Sequence, residues 1–220
     1  MDLNVSETER RYLRDLARRV AEIASDPLQQ EKADMWRRHN DLERGRPMVL
    51  IFPEGAWREL LPESELSCTG ELARSYERDL RVRLYYAEHL PDDNTIEPVV
   101  YTPIVIRDTG WGIEGRSTRP AEPTGAYRIE TVIQDESDVE KIRTPEATID
   151  WPETERRCEA VRELFGDILT VEKRGPSNYG LAPIDHYAGL RGIDRLYMDL
   201  VERPQMVHEA VRRILNGPSR

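Results

Sequence analysis

Three short apolar runs, set between longer stretches of helical periodicity, constrain this chain more than any other feature. They are Pro47–Phe52 (PMVLIF), Pro98–Ile106 (PVVYTPIVI) and Ile168–Val171 (ILTV). Short apolar and β-branched runs like these, the first of them unbroken and bounded by Gly and Pro, read as buried strands, as parallel sheets require. Pro103 has no N–H to give to a ladder, so a strand end or bulge is expected there.

Between the runs lie helical patterns. Ser6 followed three residues later by Glu9 forms a capping-box signature, and Leu13, Leu16, Val20 and Ile23 then share one face. Asp26–Pro27 opens a second amphipathic helix carrying Leu28, Trp36, His39 and Leu42, with Gly45 to end it. His39 on that stripe is read as a packed core histidine. Leu72, Tyr76, Leu80, Leu84 and Ala87 mark a third helix that ends near Pro91. A fourth begins around Asp150 and Glu153 and carries Cys158, Val161, Leu164 and Phe165. The C-terminal part is helical, with Ile193, Leu196, Tyr197 and Leu200 on one stripe and Met206 to Leu215 on another, separated by Pro204. Alternation from Tyr127 to Ile133 suggests a short solvated strand, so 107–135 reads as an excursion in the form of a loop or β-hairpin.

Strands alternating with helices mean parallel βα units. Three such strands form either a small open sheet or the first staves of an eight-stranded barrel, whose full length is about 250 residues. At 220 residues the chain is shorter than that, and a helix stands at its end where a fourth strand would follow.

Composition narrows the function classes. Acidic side chains number 42 against 32 basic ones, a net charge of -10, so a broad phosphate-backbone footprint is not expected and nucleic acid is excluded as a partner. Arg10–Arg11, Arg18–Arg19 and Arg37–Arg38 sit among Glu and Asp and read as solvated, ion-paired helix faces. Cys68 and Cys158 have no redox or zinc-knuckle spacing and read as free thiols in a reducing compartment. No apolar stretch is long enough to span a membrane, and residues 1–11 lack the apolar segment of a secretory signal, which points to the cytoplasm. No P-loop, dinucleotide-binding glycine fingerprint, H-E-x-x-H motif or nucleophile elbow occurs.

In parallel α/β folds, chemistry gathers in the loops after strand C-termini, because those ends converge on one mouth. Three loops qualify. Glu54, Trp57 and Arg58 follow the first run, Arg107, Asp108 and Trp111 the second, and Asp185, His186 and Tyr187 the third. His186 is the natural proton-transfer group and Tyr187 its neighbour, the pair expected to be catalytic. The other seven are expected to bind substrate. Glu54 and Arg58 could equally pair with each other, and His186 or Tyr187 could cap or pack the next helix. His89 and His208 lie late in helical stretches and are read as partners of helix termini.

The segments RPMVLIFPEGAWRELLPE (Arg46–Glu63), PVVYTPIVIRDTGWGIE (Pro98–Glu114) and YGLAPIDHYAGLRGIDRLYMDLVERPQMVHEAVRRI (Tyr179–Ile214) resemble the uroporphyrinogen decarboxylase superfamily, which also holds cobalamin-dependent methyltransferases. The resemblance implies a (β/α)8 barrel of which this chain holds the first three or so βα units. Residues 1–45 would be an N-terminal helical segment and 46–220 an incomplete barrel. It also implies a tyrosine after the third strand, matched by Tyr187. The departures are specific. Gly55 and Glu59 stand where true decarboxylases carry two substrate-gripping arginines, and Pro103 stands where they carry the pyrrole-binding aspartate. Without those groups, a polyanionic tetrapyrrole loses its bidentate grips and its N–H acceptor. The methyltransferase branch holds zinc through a His-x-Cys pair and a later Cys, none of which this chain contains.

The expectation is therefore the front part of a decarboxylase-like protein of methyltransferase-like or uncharacterised type. This chain itself needs no cofactor, and zinc and a corrinoid belong to a full-length relative. Its partners would be a small-molecule substrate or a corrinoid protein, with a homodimer as a further option. The rival is a non-catalytic α/β module that binds a ligand or partner.

Overall fold

The computed structural model describes residues 1–118, 128–177, 180 and 182–216. Residues 119–127 of the expected excursion, and Tyr179 and Leu181 of the C-terminal resemblance segment, lie outside the described residues. In chain order the elements are α1 (Glu7–Ala24), α2 (Pro27–Asn40), α3 (Trp57–Leu60), α4 (Glu71–His89), β1 (Val99–Pro103), β2 (Ile106–Asp108), β3 (Arg116–Thr118) and β4 (Arg128–Glu130). They continue as α5 (Glu136–Val139), β5 (Ala147–Ile149), α6 (Trp151–Phe165), β6 (Thr170–Arg174), α7 (Pro183–Arg191), α8 (Ile193–Glu202) and α9 (Pro204–Leu215). The chain is α/β. Its described strands form three two-stranded sheets and no closed barrel.

Two compact units divide the chain, Met1–Ile104 with Trp151–Gly175, and Val105–Asp150 with Pro176–Arg220. In the first, the expected capping box starts α1. Ser6 N–H donates to Glu9 Oε2 at 3.0 Å, and Glu9 N–H donates back to Ser6 Oγ at 3.3 Å. The α1 face of Leu13, Leu16, Ala17 and Val20 packs in one core with Leu72, Tyr76 and Leu80 of α4 and Val161, Leu164 and Phe165 of α6. Leu13, Leu80 and Phe165 are wholly buried, each stabilising by roughly 1.5–3 kcal/mol. β1 and β6 lie side by side and parallel, from Val99 opposite Thr170 to Pro103 opposite Arg174. α6 is the crossover helix, and 105–150 is inserted ahead of it.

The second unit holds the antiparallel pair β2–β5, the antiparallel pair β3–β4, and helices α7 to α9. Its core gathers Ile133, Val139, Ile142, Tyr187, Leu190, Met206 and Ile214.

Four expectations change. The run at 47–52 is not a strand, because carboxylates occupy the donors a ladder would need. Val49 N–H donates to Asp93 Oδ2 (2.8 Å) and Ile51 N–H to Asp92 Oδ2 (2.9 Å), leaving Val49, Leu50 and Phe52 exposed. The run at 98–106 is not one stave. It breaks at Pro103, and β1 and β2 enter different sheets. α2 buries no residue, and His39 lies at the surface with its ring edge-on to Trp36, centroids 5.5 Å apart. On α8 the expected inner stripe is inverted. Leu196 is buried, but Ile193, Tyr197 and Leu200 are exposed, because the inward position Asp199 is claimed by an ion pair with Arg191. No helix among the described residues is long and apolar enough to cross a membrane.

Candidate functional site

A pocket of about 220 Å3 in the second unit brings two of the three expected loops together. Trp111 comes from the segment after β2, and Asp185 and His186 from the first turn of α7. Ile142, Leu190 and Ile214 add apolar lining.

Local chemistry fixes the Trp111 segment. Asp108 turns the chain by accepting from Gly110 N–H at 2.8 Å. Gly110 and Gly112 flank the tryptophan at φ 65° and 78°, in the left-handed region that glycine enters without a Cβ clash. At Gly112 a Cβ would also stand 2.7 Å from Lys141 O. Trp111 O accepts from Arg143 N–H at 2.8 Å, and Thr109 N–H donates to Glu146 O at 3.1 Å. The His186 ring sits 5.3 Å from the Trp111 ring, inclined by 50°. Gly115 passes close over α7, where a Cβ would meet Gly189 O at 3.0 Å.

Tyr187, the catalytic tyrosine implied by the resemblance, does not line this pocket. Residues i and i+1 of a helix point in different directions, so with His186 outward Tyr187 enters the core and is wholly buried. Its hydroxyl lies 3.5 Å from Asp199 Oδ2. Burial first, and the Asp199 charge second, push the phenol up to about 12, so at neutral pH it is a fixed proton donor.

The remaining candidates hold separate places. Arg107 on β2 is exposed and forks onto Asp150, with Nε at 2.9 Å and Nη2 at 2.5 Å from Oδ2. It is neutralised and not free to grip a ligand. In the first unit, Trp57 packs against Tyr85 and Tyr86 of α4 at 5.5 and 5.6 Å, which makes it a wall of that helix. Glu54 and Arg58 are exposed, and no ion pair joins them.

Two features escape a reading by pattern. Glu77 is wholly buried in α4 and accepts from Ser67 N–H (2.8 Å) and Cys68 N–H (2.7 Å), a glutamate serving as the anchor of a loop. Arg38, Arg44 and His39 line a cleft beside α2, although the Arg37–Arg38 pair reads as solvated helix surface. Arg37 pairs with Asp34 one turn back on the same helix, whereas Arg38 has no carboxylate partner among the described residues.

As to metals, no three His, Cys, Asp or Glu side chains among the described residues cluster as a metal site. Cys68 and Cys158 are both buried. Burial, reinforced by Glu77, drives the Cys68 thiol up to about 12, the wrong direction for a thiolate ligand. The described residues therefore offer no zinc site, and no chemistry is routed through zinc. The chain has no significant match among protein-family models, curated proteins or solved structures, so its function is read from its own residues.

Proposed function

We propose that the chain is the front portion of a uroporphyrinogen-decarboxylase-like barrel enzyme, of methyltransferase-like type, that handles a small substrate at the Trp111–His186 pocket. One observation carries this reading: β1 and β6 are parallel neighbours joined through α6, and the chain passes from the carboxyl end of each into the unit that holds the pocket. Carboxyl ends of parallel strands are where such folds keep their chemistry. The exposed Val49, Leu50 and Phe52 and the outer face of α8 fit a fold that has more staves to add. A cytoplasmic location belongs to the same reading.

Within the pocket, His186 moves a proton, Asp185 orients the polar end of the substrate, and Trp111 walls off its apolar part. The absence of the decarboxylase arginines and aspartate at Gly55, Glu59 and Pro103 favours the methyltransferase branch, whose partner would be a corrinoid. Equilibrium dialysis of the purified chain against hydroxocobalamin tests this. Saturable retention supports the reading, and no retention in the wild type removes the methyltransferase branch.

A second reading, a non-catalytic ligand-binding module, is favoured by the burial of Tyr187, which keeps the resemblance's catalytic group from any substrate. Ligand retention without turnover, unchanged in Tyr187→Phe, distinguishes it.

A further inference from the structure

We propose that the first unit carries an anion site for a phosphate monoester with an apolar body, in the cleft between the end of α2 and the chain that follows it. The cleft has a volume of about 580 Å3, within the range of small-molecule sites and far larger than a bare phosphate needs. Its charged lining is Arg38, His39, Arg44 and Arg46 against a single carboxylate, Glu43. In a chain of net charge -10, this is a local reversal of sign.

The geometry is fixed by groups that do not face the ligand. α2 ends at Asn40, and Glu43 N–H returns to Arg38 O at 2.9 Å. Leu42 takes φ 60°, a left-handed conformation unfavourable for a leucine, and is 90% exposed, so its side chain gains nothing from the turn. The reversal brings Arg44 and Arg46 back beside Met35 and Arg38. Arg46 is a fixed wall, forked onto Asp93 and resting on Met35 Sδ at 3.8 Å. His39 is braced by Trp36, whose Nε1–H donates to Asp93 O at 2.7 Å.

Arg38 and Arg44 are left over. Among the described residues neither guanidinium has a carboxylate or carbonyl partner, whereas adjacent Arg37 has Asp34 and nearby Arg46 has Asp93. Complementing the helix dipole accounts for basic residues in the last turn of α2, but Arg44 lies beyond that turn. Two spare guanidiniums and an imidazole, coming from different parts of the turn, suit a tetrahedral dianion with several terminal oxygens better than a planar carboxylate. Met35, Pro47 and Met48 supply adaptable apolar surface for the organic body. The cleft is a single small patch in a chain of net charge -10, which argues for a small ester over a nucleic acid.

The test is calorimetric titration of the full chain with phenyl phosphate at low salt, with inorganic phosphate, benzoate and a single-stranded oligonucleotide as comparators. Phenyl phosphate is expected to saturate and to bind more tightly than the other three. Arg38→Gln and Arg44→Gln should each weaken it by roughly tenfold. Arg11→Gln, an exposed arginine of α1 outside the cleft, should not. Thermal midpoints check that all variants are folded. The proposal is overturned by no saturable heat in the millimolar range, by wild-type affinity in both cleft variants, or by equal or tighter binding of benzoate or the oligonucleotide.

Discussion

Arg191 and Asp199 form a two-point ion pair inside the second unit, with Nε to Oδ2 at 2.5 Å and Nη2 to Oδ1 at 3.0 Å, both side chains almost fully buried. The remaining guanidinium nitrogen donates to Ile133 O at 2.9 Å and Gln134 O at 3.1 Å. One side chain thus ties α7 to α8 and to the segment after β4. Removing one partner strands the other charge without water. Asp199→Asn should therefore cost about 3–5 kcal/mol. The double replacement Arg191→Met with Asp199→Leu should cost less than the single change, and urea unfolding of both variants checks the order.

Glu9 supports acid stability in the first unit. Its carboxylate accepts from Thr69 N–H, from Ser6 and from Gly70 N–H, and these bonds lower its pKa to about 2. A group depressed in the folded state stabilises above its ordinary value and loses that contribution as pH falls toward the folded one. The urea midpoint of the wild type should therefore exceed that of Glu9→Gln at neutral pH. The gap should close between pH 4.5 and about 2, and a gap independent of pH would refute the assignment.

The legible parts of the fold were those decided locally. The capping box at Ser6 and Glu9, the buried stripe of α4 and the strand break at Pro103 each depend on a few neighbouring residues. What failed was decided by distant groups. Val49 and Ile51 carry strand-like side chains, yet Asp92 and Asp93, more than forty positions away, take their N–H groups. The apolar residues of α8 dominate its helical pattern, but Arg191 claims Asp199 and turns that pattern outward. Of the site, Trp111 and His186 stand out separately as loop candidates, but their approach across the second unit is set by tertiary packing, and the spare charge of Arg38 and Arg44 likewise depends on which carboxylates lie near.

Gly112 should tolerate no side chain. It combines φ 78° with a Cβ position 2.7 Å from Lys141 O, and the obstacle is backbone that cannot rotate away. Gly112→Ala should lose roughly 1–3 kcal/mol. The strain falls beside Trp111, so the variant should also shift tryptophan emission. Gly45→Ala, where a Cβ meets nothing within 4 Å, is the control expected to behave as wild type.

The outer face of α8 offers apolar area that is exposed among the described residues. Ile193, Tyr197, Leu200 and Val201 recur at helical spacing, and Val201 is 83% exposed. Since these side chains contribute little to the core, Val201→Glu should change stability by no more than about 0.5 kcal/mol. Exposed apolar stripes drive association, so the same change should lower the concentration-dependent mass of the chain in sedimentation equilibrium. A large fall in thermal midpoint would mean that Val201 is packed in solution. An unchanged mass distribution would mean that α8 takes no part in self-association.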